Sequence, residues 1–266
     1  MEVSGVRSSW LASATKRRIR FSELRACSSE ICWARKAVSI RGFAELYRQG
    51  AVRTDEDVRR LMERIESEGS RMGLLVEDLL LLARLDQQRP LTFGPVDLAG
   101  IAGDAVHDAT AVQPDRPVAL HLDDSLTDVP VVMGDEGRLR QVVGNLVTNA
   151  LTHTPPGTRV TLTVAQDAVD PDRLVLQVAD EGPGMDPADA ERAFERFYRA
   201  DASRTREAGG TGLGLAIVSS LVAAHGGTVD LSTAPGRGAT FIVRLPRSGP
   251  ADRPATGVGG EPVAPS

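Results

Sequence analysis

The chain has 266 residues, of which 41 % are hydrophobic and 25 % charged, and these proportions are typical of a soluble globular protein with length for about two domains. Its net charge of −5 argues against nucleic acid as a partner. No apolar run reaches the ~18–20 residues of a membrane span, and no apolar stretch follows the basic N-terminal residues as it would in a signal peptide. We therefore expect a soluble, cytoplasmic chain.

Residues 1–38 form a first segment that follows no clear hydrophobic period. They contain both cysteines, Cys27 and Cys32, and no histidine lies near these in the sequence. A zinc site needs about four ligands, so free thiols in a reducing cytosol are the simpler interpretation.

A helical hairpin is predicted for residues 39–90. "SIRGFAELYRQG" predicts a helix ending at Gly50, and "RTDEDVRRLMERIESEGSRMGLLVEDLLLLARLDQQ" predicts a longer helix capped by Thr54. The longer helix carries a heptad at Val58, Ile65, Met72 and Leu79, with Met62, Gly69, Val76 and Ala83 at the offset of four. This seam suits a four-helix bundle formed by two copies, and the pattern leaves open an amphipathic hairpin packed on its own domain.

Residues 95–246 are expected to form a mixed α/β domain. Helices are predicted by "VDLAGIAGDAVHDATA", by "DEGRLRQVVGNLVTNALTHT" with a cap at Asp135, and by "LAIVSSLVAAHGG". Alternating apolar and polar residues predict strands at "VALHL", "RVTLTVAQ", "RLVLQVAD", "GTVDLST" and "ATFIVRL". Short links favour an antiparallel or mixed sheet with helices on one face. Residues 247–266 are rich in Pro, Gly and Ala, which predicts a disordered tail.

The helix over residues 135–153 has an unusual polar stripe. Gln141, Asn145, Asn149 and His153 follow one another at intervals of four residues. Asparagine is a mediocre helix former, and solvated helix faces usually carry Lys, Glu and Arg instead. A solvated face remains the alternative, but the neutral amide oxygens suit a hard cation such as Mg²⁺ on phosphates.

Two glycine-rich segments have the composition of ligand-binding turns. In "DEGPGM", Asp180 ends a strand, and Gly182 and Gly184 allow the backbone to approach a flat ligand closely. The Asp180 carboxylate could accept a hydrogen bond from an exocyclic amine of that ligand. A plain strand-to-turn connection is the alternative. In "GGTGLGLAIV", glycines lead directly into an apolar helix, where backbone N–H groups can bind phosphate. This segment is not a Walker loop, because G-K-[ST] occurs nowhere in the chain. It is not the dinucleotide fingerprint either, because residue 215, where the third glycine should fall, is leucine.

Five segments in order resemble one family. "NLVTNALTHT", "DEGPGM", "FERFYRAD", "GGTGLGLAIV" and "GRGATF" look like the N, G1, F, G2 and G3 boxes of the sensor histidine kinase ATP-binding domain, in the GHKL superfamily. The hairpin similarly resembles the second part of that family's dimerisation and phosphoacceptor domain. The F box and the hairpin argue against the gyrase, Hsp90 and MutL branches. The implied fold is α+β, a dimeric four-helix bundle followed by a two-layer α/β sandwich with a mixed sheet.

The resemblance implies that ATP and Mg²⁺ are the cofactors. Asp180 would bind the adenine amine, Asn149 would hold Mg²⁺, and residues 194–210 would form a lid over ATP, anchored by "FERFYR". The complete implied set at the nucleotide is Asn145, Asn149, His153, Asp180, Gly182, Gly184, Phe197, Arg199, Gly210, Thr211, Gly212, Leu213, Gly214 and Thr240.

The implied activity is that of a protein histidine kinase in a two-component system. A homodimer would transfer the γ-phosphoryl group to histidine and then to the receiver domain of a response regulator. Family members with their sensor part lie in the cell membrane, and this chain would meet a membrane only through such segments. Two alternatives are a non-catalytic ATP-binding dimerisation module that regulates a partner kinase, and an anti-sigma type serine kinase, which the heptad disfavours.

The phosphoacceptor motif of the family is missing. A sequence like H-E-L-R-T-P-L is expected just before "SIRGF", but counting back from Ser39 places Ile31 at the acceptor position, and an alignment through "SELR" places Ser22 there. The four histidines all lie outside the hairpin, at His107, His121, His153 and His225. A frameshift, a wrong start or real divergence would each produce this pattern, and autophosphorylation of this chain is not expected.

Overall fold

The computed structural model of the protein describes residues 40–50, 54–86, 91–199 and 211–250. The segment 1–38, with Ile31 and Ser22, lies outside the described residues, as do Gly210 and residues 251–266 of the predicted tail. The chain divides into one unit that ends at Met72 and a second that begins at Gly73. Within the described ranges, no helix has the length and apolar character needed to cross a membrane.

The predicted helical hairpin is confirmed. Helix α1 covers residues 40–48, and the turn that ends it contains Gly50, whose φ of +67° lies in the left-handed region that glycine adopts at little cost. Helix α2 spans Asp55–Asp86. Thr54 Oγ1 accepts a hydrogen bond from Asp57 N at 3.1 Å, which satisfies one of the N–H groups that a helix start leaves without a partner.

The two columns of the predicted heptad differ in burial within one copy of the chain. Val58, Ile65, Met72 and Leu79 are half-buried, but the offset-of-four column, Met62, Gly69, Val76 and Ala83, is exposed. The buried residues of α2 are Leu61, Leu75, Leu81 and Leu82, and all of these except Leu81 lie at an offset of three from the first column. Apolar residues occupy both offsets, so spacing alone does not decide which column is buried. The exposed apolar surface of α2 consists of Met62, Leu74, Val76 and Leu80.

A five-stranded mixed sheet forms the centre of the second unit, as predicted. Its strands are β2 (Val118–Leu122), β4 (Val160–Gln166), β5 (Arg173–Asp180), β6 (Thr228–Thr233) and β7 (Ala239–Pro246), in the spatial order β2-β4-β5-β7-β6. The β2–β4 pair is parallel and the other three pairs are antiparallel. The register pairs Asp180 with Ala239, which places the end of β5 beside the start of β7.

Helices cover this sheet and form the second layer. They are α3 (Leu98–Val112), α4 (Glu136–His153), the short α5 (Pro187–Arg192) and α6 (Gly214–Ala224). Helix α3 packs on β2 and β4, α4 on β4 and β5, and α6 on β6. The largest fully buried side chains come from both layers, among them Leu146 of α4, Leu162 of β4, Ile217 of α6 and Phe241 of β7. Each such burial contributes roughly 1.5–3 kcal/mol, so the layers stabilise one another.

A two-stranded antiparallel sheet was not predicted. Strands β1 (Gly94–Asp97) and β3 (Val131–Gly134) pair with each other, and each has only four residues, too few for an alternating pattern to be recognised. The helix predicted from Val96 therefore begins at Leu98 in the structure. Asp97 caps it by accepting a hydrogen bond from Ala99 N at 2.9 Å.

The start of α4 is fixed by a buried histidine. Asp135 caps α4 as predicted, accepting from Arg138 N at 3.1 Å. Its own N–H donates to His225 Nε2 at 3.0 Å, and His225 Nδ1 lies 2.7 Å from the carbonyl oxygen of Leu221. Because Nε2 accepts and Nδ1 must donate, this imidazole is neutral, and burial correspondingly lowers the pKa of His225. The ring thus connects the start of α4 to the end of α6.

The second unit extends past the predicted boundary at residue 246. Arg247 N donates to Asp172 O, and Met133 N donates to Arg247 O, each at 2.8 Å. The Arg247 guanidinium also pairs with Asp128 at 2.9 Å. Residues 247–250 therefore belong to the fold, because backbone pairing places them there, which composition does not reveal.

Candidate functional site

A buried carboxylate ends the central strand. Asp180 is 8 % exposed, and its Oδ1 accepts a hydrogen bond from Gly182 N at 2.9 Å. Burial raises the pKa of Asp180, whereas backbone hydrogen bonds from Gly182 and Ala239 and the charge of Arg116 oppose this rise. This carboxylate is thus held in a fixed position with acceptor capacity left for a ligand.

The polar stripe of α4 ends beside the start of α6. Asn145 and Asn149 are half-buried, and Asn145 Nδ2 donates to Gly214 O at 3.3 Å. That bond leaves the Asn145 side-chain oxygen available. The Asn149 amide has no hydrogen-bond partner among the described residues. Two neutral amide oxygens are therefore available close to the N-terminus of α6.

His153 continues the stripe toward Asp180. His153 is exposed by its surface area, but loss of water around the ring, followed by the charge of Arg199, lowers its pKa below the ordinary value. The Asp180 carboxylate acts in the opposite direction on the same ring. The structure therefore brings three of the predicted site residues, His153, Arg199 and Asp180, close enough for their charges to act on one another.

The glycine-rich turn before α6 forms a helix N-terminus. Thr211 Oγ1 accepts from Leu213 N at 3.2 Å, Leu213 is fully buried, and Gly212 has a φ of +71°. A side chain at Gly212 would lie 3.1 Å from the Phe197 backbone. The first N–H groups of α6 have no intrahelical partners and can bind an anion. Gly214 places this anion site against Asn145.

The start of the predicted lid is hydrogen-bonded to the glycine turn that follows the lid. Phe197 N donates to Gly212 O at 2.8 Å, and Phe197 is the one non-glycine residue of the described ranges with a positive φ, +64°. That conformation costs a bulky residue about 1–2 kcal/mol, so its surroundings must hold it. Phe194 packs edge-on against Phe241 with 6.3 Å between ring centroids. The aromatic anchor is thus described, whereas residues 200–210 of the lid lie outside the described ranges.

Two glycines are required where the turn after β5 meets the loop before β7. Gly184 has a φ of +69°, and a Cβ there would lie 2.0 Å from the carbonyl oxygen of Ala234. A Cβ at Gly238, whose φ is +68°, would lie 1.9 Å from the carbonyl oxygen of Asp180. These glycines let two backbone segments touch, so part of the glycine pattern has a structural reason.

Gly184→Ala is expected to lower the free energy of unfolding by about 3 kcal/mol or more, because strain at positive φ adds to a collision with backbone. Gly157→Ala is the matched control: Gly157 has a φ of +81°, but a Cβ there would meet nothing within 4 Å. The control should lose only about 1 kcal/mol. Urea denaturation of both variants measures the difference, and equal losses would contradict the packing argument.

Thr240 is not brought together with the other predicted residues. In β7, Ala239 and Phe241 are buried and Thr240 is half-buried. Since Ala239 pairs with Asp180, Thr240 points to the opposite face of the sheet. The structure places Thr154 near the site instead, because a Cβ at Gly182 would lie 2.4 Å from Thr154 Cγ2. Sequence analysis did not identify Thr154, which has no recognisable spacing to the glycine turn.

Comparisons with known proteins cover both units. Residues 38–88 match the His Kinase A (phospho-acceptor) domain, and residues 134–249 match the histidine kinase-, DNA gyrase B-, and HSP90-like ATPase domain. The chain is 50 % identical over 211 residues to the probable sensor histidine kinase TcrY of Mycobacterium tuberculosis, covering 79 % of this chain and 43 % of the relative. It is 42 % identical to the sensor histidine kinase TrcS of the same organism, covering 78 % and 40 %.

A solved structure of full-length ShkA, in complex with AMPPNP, matches with a TM-score of 0.60 at 32 % identity and covers 87 % of this chain and 47 % of that one. The chain spans less than half the length of the two curated relatives. From these matches and from the two domains in their order along the sequence, the chain belongs to the sensor histidine kinase family.

Proposed function

We propose that this chain binds ATP with Mg²⁺ between β5, α4 and the N-terminus of α6, as the kinase portion of a two-component sensor histidine kinase. The observation that carries the proposal is the convergence of a buried carboxylate, a pair of asparagines and a helix N-terminus, with Asn145 hydrogen-bonded to Gly214. The similarity of this chain to ShkA, whose structure is in complex with AMPPNP, supports nucleotide binding.

Asp180 selects the base in this proposal. Its carboxylate accepts a hydrogen bond from the exocyclic amine of adenine, and the Gly182 N–H that binds Oδ1 keeps the acceptor oriented. Guanine presents a carbonyl oxygen at the equivalent position, which repels a carboxylate that only accepts. Because Asp180 is 8 % exposed, water competes weakly for it, and the preference for adenine is correspondingly strong.

Asn149 and Asn145 fit a magnesium ion that is bound mainly through phosphates. Neutral amide oxygens are ligands that Mg²⁺ accepts, and the Asn149 side chain has no hydrogen-bond partner among the described residues. When bound, Mg²⁺ would offset the negative charge of the phosphates. The N–H groups at the start of α6 bind phosphate oxygens from the other side, and Gly212 and Gly214 add no side chain to this turn.

A homodimer through the helical hairpin is part of the proposal. Met62, Leu74, Val76 and Leu80 are exposed on α2, with exposed fractions between 37 % and 59 %. A second copy that covers this surface would remove it from water, as in a four-helix bundle. The match to the phospho-acceptor domain supports this arrangement, and a response regulator receiver domain is the proposed downstream partner.

A second candidate function follows from the sequence of the hairpin. Residues 38–88 match the phospho-acceptor domain but contain no histidine. A chain that binds ATP and dimerises without an acceptor of its own would act on, or regulate, a partner kinase that carries one. This non-catalytic dimerisation module needs the same nucleotide site and differs only in the fate of the phosphoryl group.

Nucleotide competition tests the proposed site. A fluorescent ATP analogue is displaced by ATP and by GTP, each with Mg²⁺, and wild type should prefer ATP by at least about 100-fold. Asp180→Asn should reduce this preference to less than about tenfold, because an amide can both donate and accept. Unchanged selectivity in the folded variant would remove Asp180 from the base site. Failure of the wild type to bind either nucleotide would reject the proposal.

A further inference from the structure

A buried arginine lies under the nucleotide site. Arg116, in the connection between α3 and β2, is 4 % exposed, which is unusual for a side chain that is always charged. Its guanidinium donates to the carbonyl oxygens of Ala150 and Leu151, both at 3.2 Å, and to Gln113 Oε1 at 3.1 Å. It also donates to Thr154 Oγ1. Four acceptors thus hold one cation in a fixed place.

Three of these acceptors belong to the C-terminal end of α4 and its cap. The last carbonyl groups of a helix have no intrahelical partners, and a cation there is favoured by the helix dipole. Thr154 accepts from Arg116 while donating its own hydroxyl proton to Ala150 O at 2.7 Å. Arg116 therefore fixes the end of the helix that carries Asn145 and Asn149.

The same threonine touches the turn that follows Asp180. A Cβ at Gly182 would lie 2.4 Å from Thr154 Cγ2 and 2.7 Å from Asp180 Oδ1. Any displacement of Thr154 toward this turn would therefore press on Gly182, whose N–H orients the Asp180 carboxylate. Arg116, Thr154 and Gly182 form a continuous contact between the end of α4 and the end of β5.

Charge gives Arg116 a second connection to the site. Burial disfavours the ionised form of Asp180, whereas the backbone hydrogen bonds from Gly182 and Ala239, and after them the charges of Arg116 and His153, favour it. Glu181, which follows Asp180 in the sequence, forms an ion pair with Arg159 at the surface, with 3.7 Å between Arg159 Nε and Glu181 Oε1. The pKa of His153 is lowered, so Arg116 is the lasting positive charge that acts on Asp180 among these described groups.

We propose that Arg116 is a positioning residue of the nucleotide site: it holds the end of α4 against the Asp180 turn through Thr154, and it supplies the buried counter-charge for the Asp180 carboxylate. This inference rests on the proposed binding of ATP. It predicts that Arg116 affects the pH range over which adenine nucleotides bind. The effect would be indirect, because the hydrogen bonds that its guanidinium donates among the described residues all go to protein acceptors.

The test is the affinity of a fluorescent ATP analogue with Mg²⁺ between pH 5 and pH 8. Wild type loses affinity as the pH falls through the pKa of Asp180, because a protonated carboxyl no longer accepts freely. Arg116→Gln removes the counter-charge, so its loss of affinity should begin at a higher pH than that of wild type. Arg116→Lys keeps the charge, and its midpoint should stay within a few tenths of the wild-type value. Asp180→Asn has no carboxyl group to titrate at this position, so any pH-dependent change in affinity that remains in it comes from His153 or from the nucleotide phosphates.

Thr154→Val provides the second measurement if Arg116→Gln does not fold. It keeps the shape and both charges but removes the hydroxyl, so it should weaken binding about fivefold with an unchanged midpoint. Wild-type binding with an unshifted midpoint in folded Arg116→Gln overturns the counter-charge role. Unchanged affinity in Thr154→Val overturns the positioning role. Absence of binding by wild type at every pH would instead reject the proposed function on which this inference rests.

Discussion

Asn149→Asp is expected to weaken Mg²⁺-dependent binding of an ATP analogue by at least about 100-fold. The Asn149 amide is half-buried on α4 and has no hydrogen-bond partner among the described residues. A carboxylate there would face three phosphates, and two unit charges 4 Å apart repel by about 4 kcal/mol at an effective dielectric constant of 20. Since each 1.4 kcal/mol changes affinity about tenfold, partial compensation by one Mg²⁺ still leaves a large loss.

Gln141→Glu is the matched control for this substitution. Gln141 lies two turns earlier on the same stripe, about 12 Å along the helix, and its oxygen accepts from Arg138 Nη1 at 3.1 Å. The new carboxylate is therefore paired, and affinity should stay within about twofold of wild type. Circular dichroism establishes that both variants fold. Equal affinity of wild type and Asn149→Asp would remove Asn149 from the metal and phosphate site.

The parts of this fold that could be predicted depend on residues that lie close together in the sequence. "RLVLQVAD" matches β5 residue for residue, although its burial alternates only from Leu176 onward, since Leu174 and Val175 before it are buried as well. Asp135 and Thr54 were identified as caps because their side chains satisfy N–H groups within three residues along the chain. In the site, Asn145 and Asp180 were recognised because their residue types are unfavourable without a ligand or a partner.

The parts that could not be predicted depend on contacts between distant segments. Arg116 precedes a proline in an unremarkable sequence, and only the fold brings it to residues 150–154. Thr240 follows the glycines of the last box, but strand alternation and the pairing of Ala239 with Asp180 turn it to the other face. Which residues of α2 are buried within one copy of the chain could not be predicted from spacing, because leucine, methionine and valine are apolar at both offsets.

The unmodified chain is expected to form no acid-labile phosphoprotein when it is incubated with γ-labelled ATP. Residues 38–88 match a phospho-acceptor domain but contain no histidine. The two alignments considered from the sequence would place Ile31 or Ser22 at the acceptor position. Autophosphorylation requires an imidazole nitrogen to attack the γ-phosphorus, so that a P–N bond forms and the bond to the ADP leaving group breaks. Isoleucine has no nucleophile, and a serine phosphoester would survive acid.

Binding of ATP should persist in the same chain, because Asp180, Asn149 and the α6 N-terminus all lie outside the matched phospho-acceptor range. Replacing residues 31–37 with the family-like sequence H-E-L-R-T-P-L should then produce acid-labile, base-stable label. The matched control carries Q-E-L-R-T-P-L at the same positions, and it should bind ATP equally and remain unlabelled. Light scattering establishes that both variants dimerise.

The comparison of these three chains separates the two candidate functions. Label that appears only with the restored histidine means that the site is a competent kinase and that its own acceptor is what the chain lacks. Binding without label in the dimeric restored variant favours the non-catalytic module, since nucleotide and acceptor are then both present and transfer still fails. Acid-labile label on the unmodified chain would contradict the prediction, and it would point to another histidine. His107, which is exposed on α3, is the first to replace by His107→Gln.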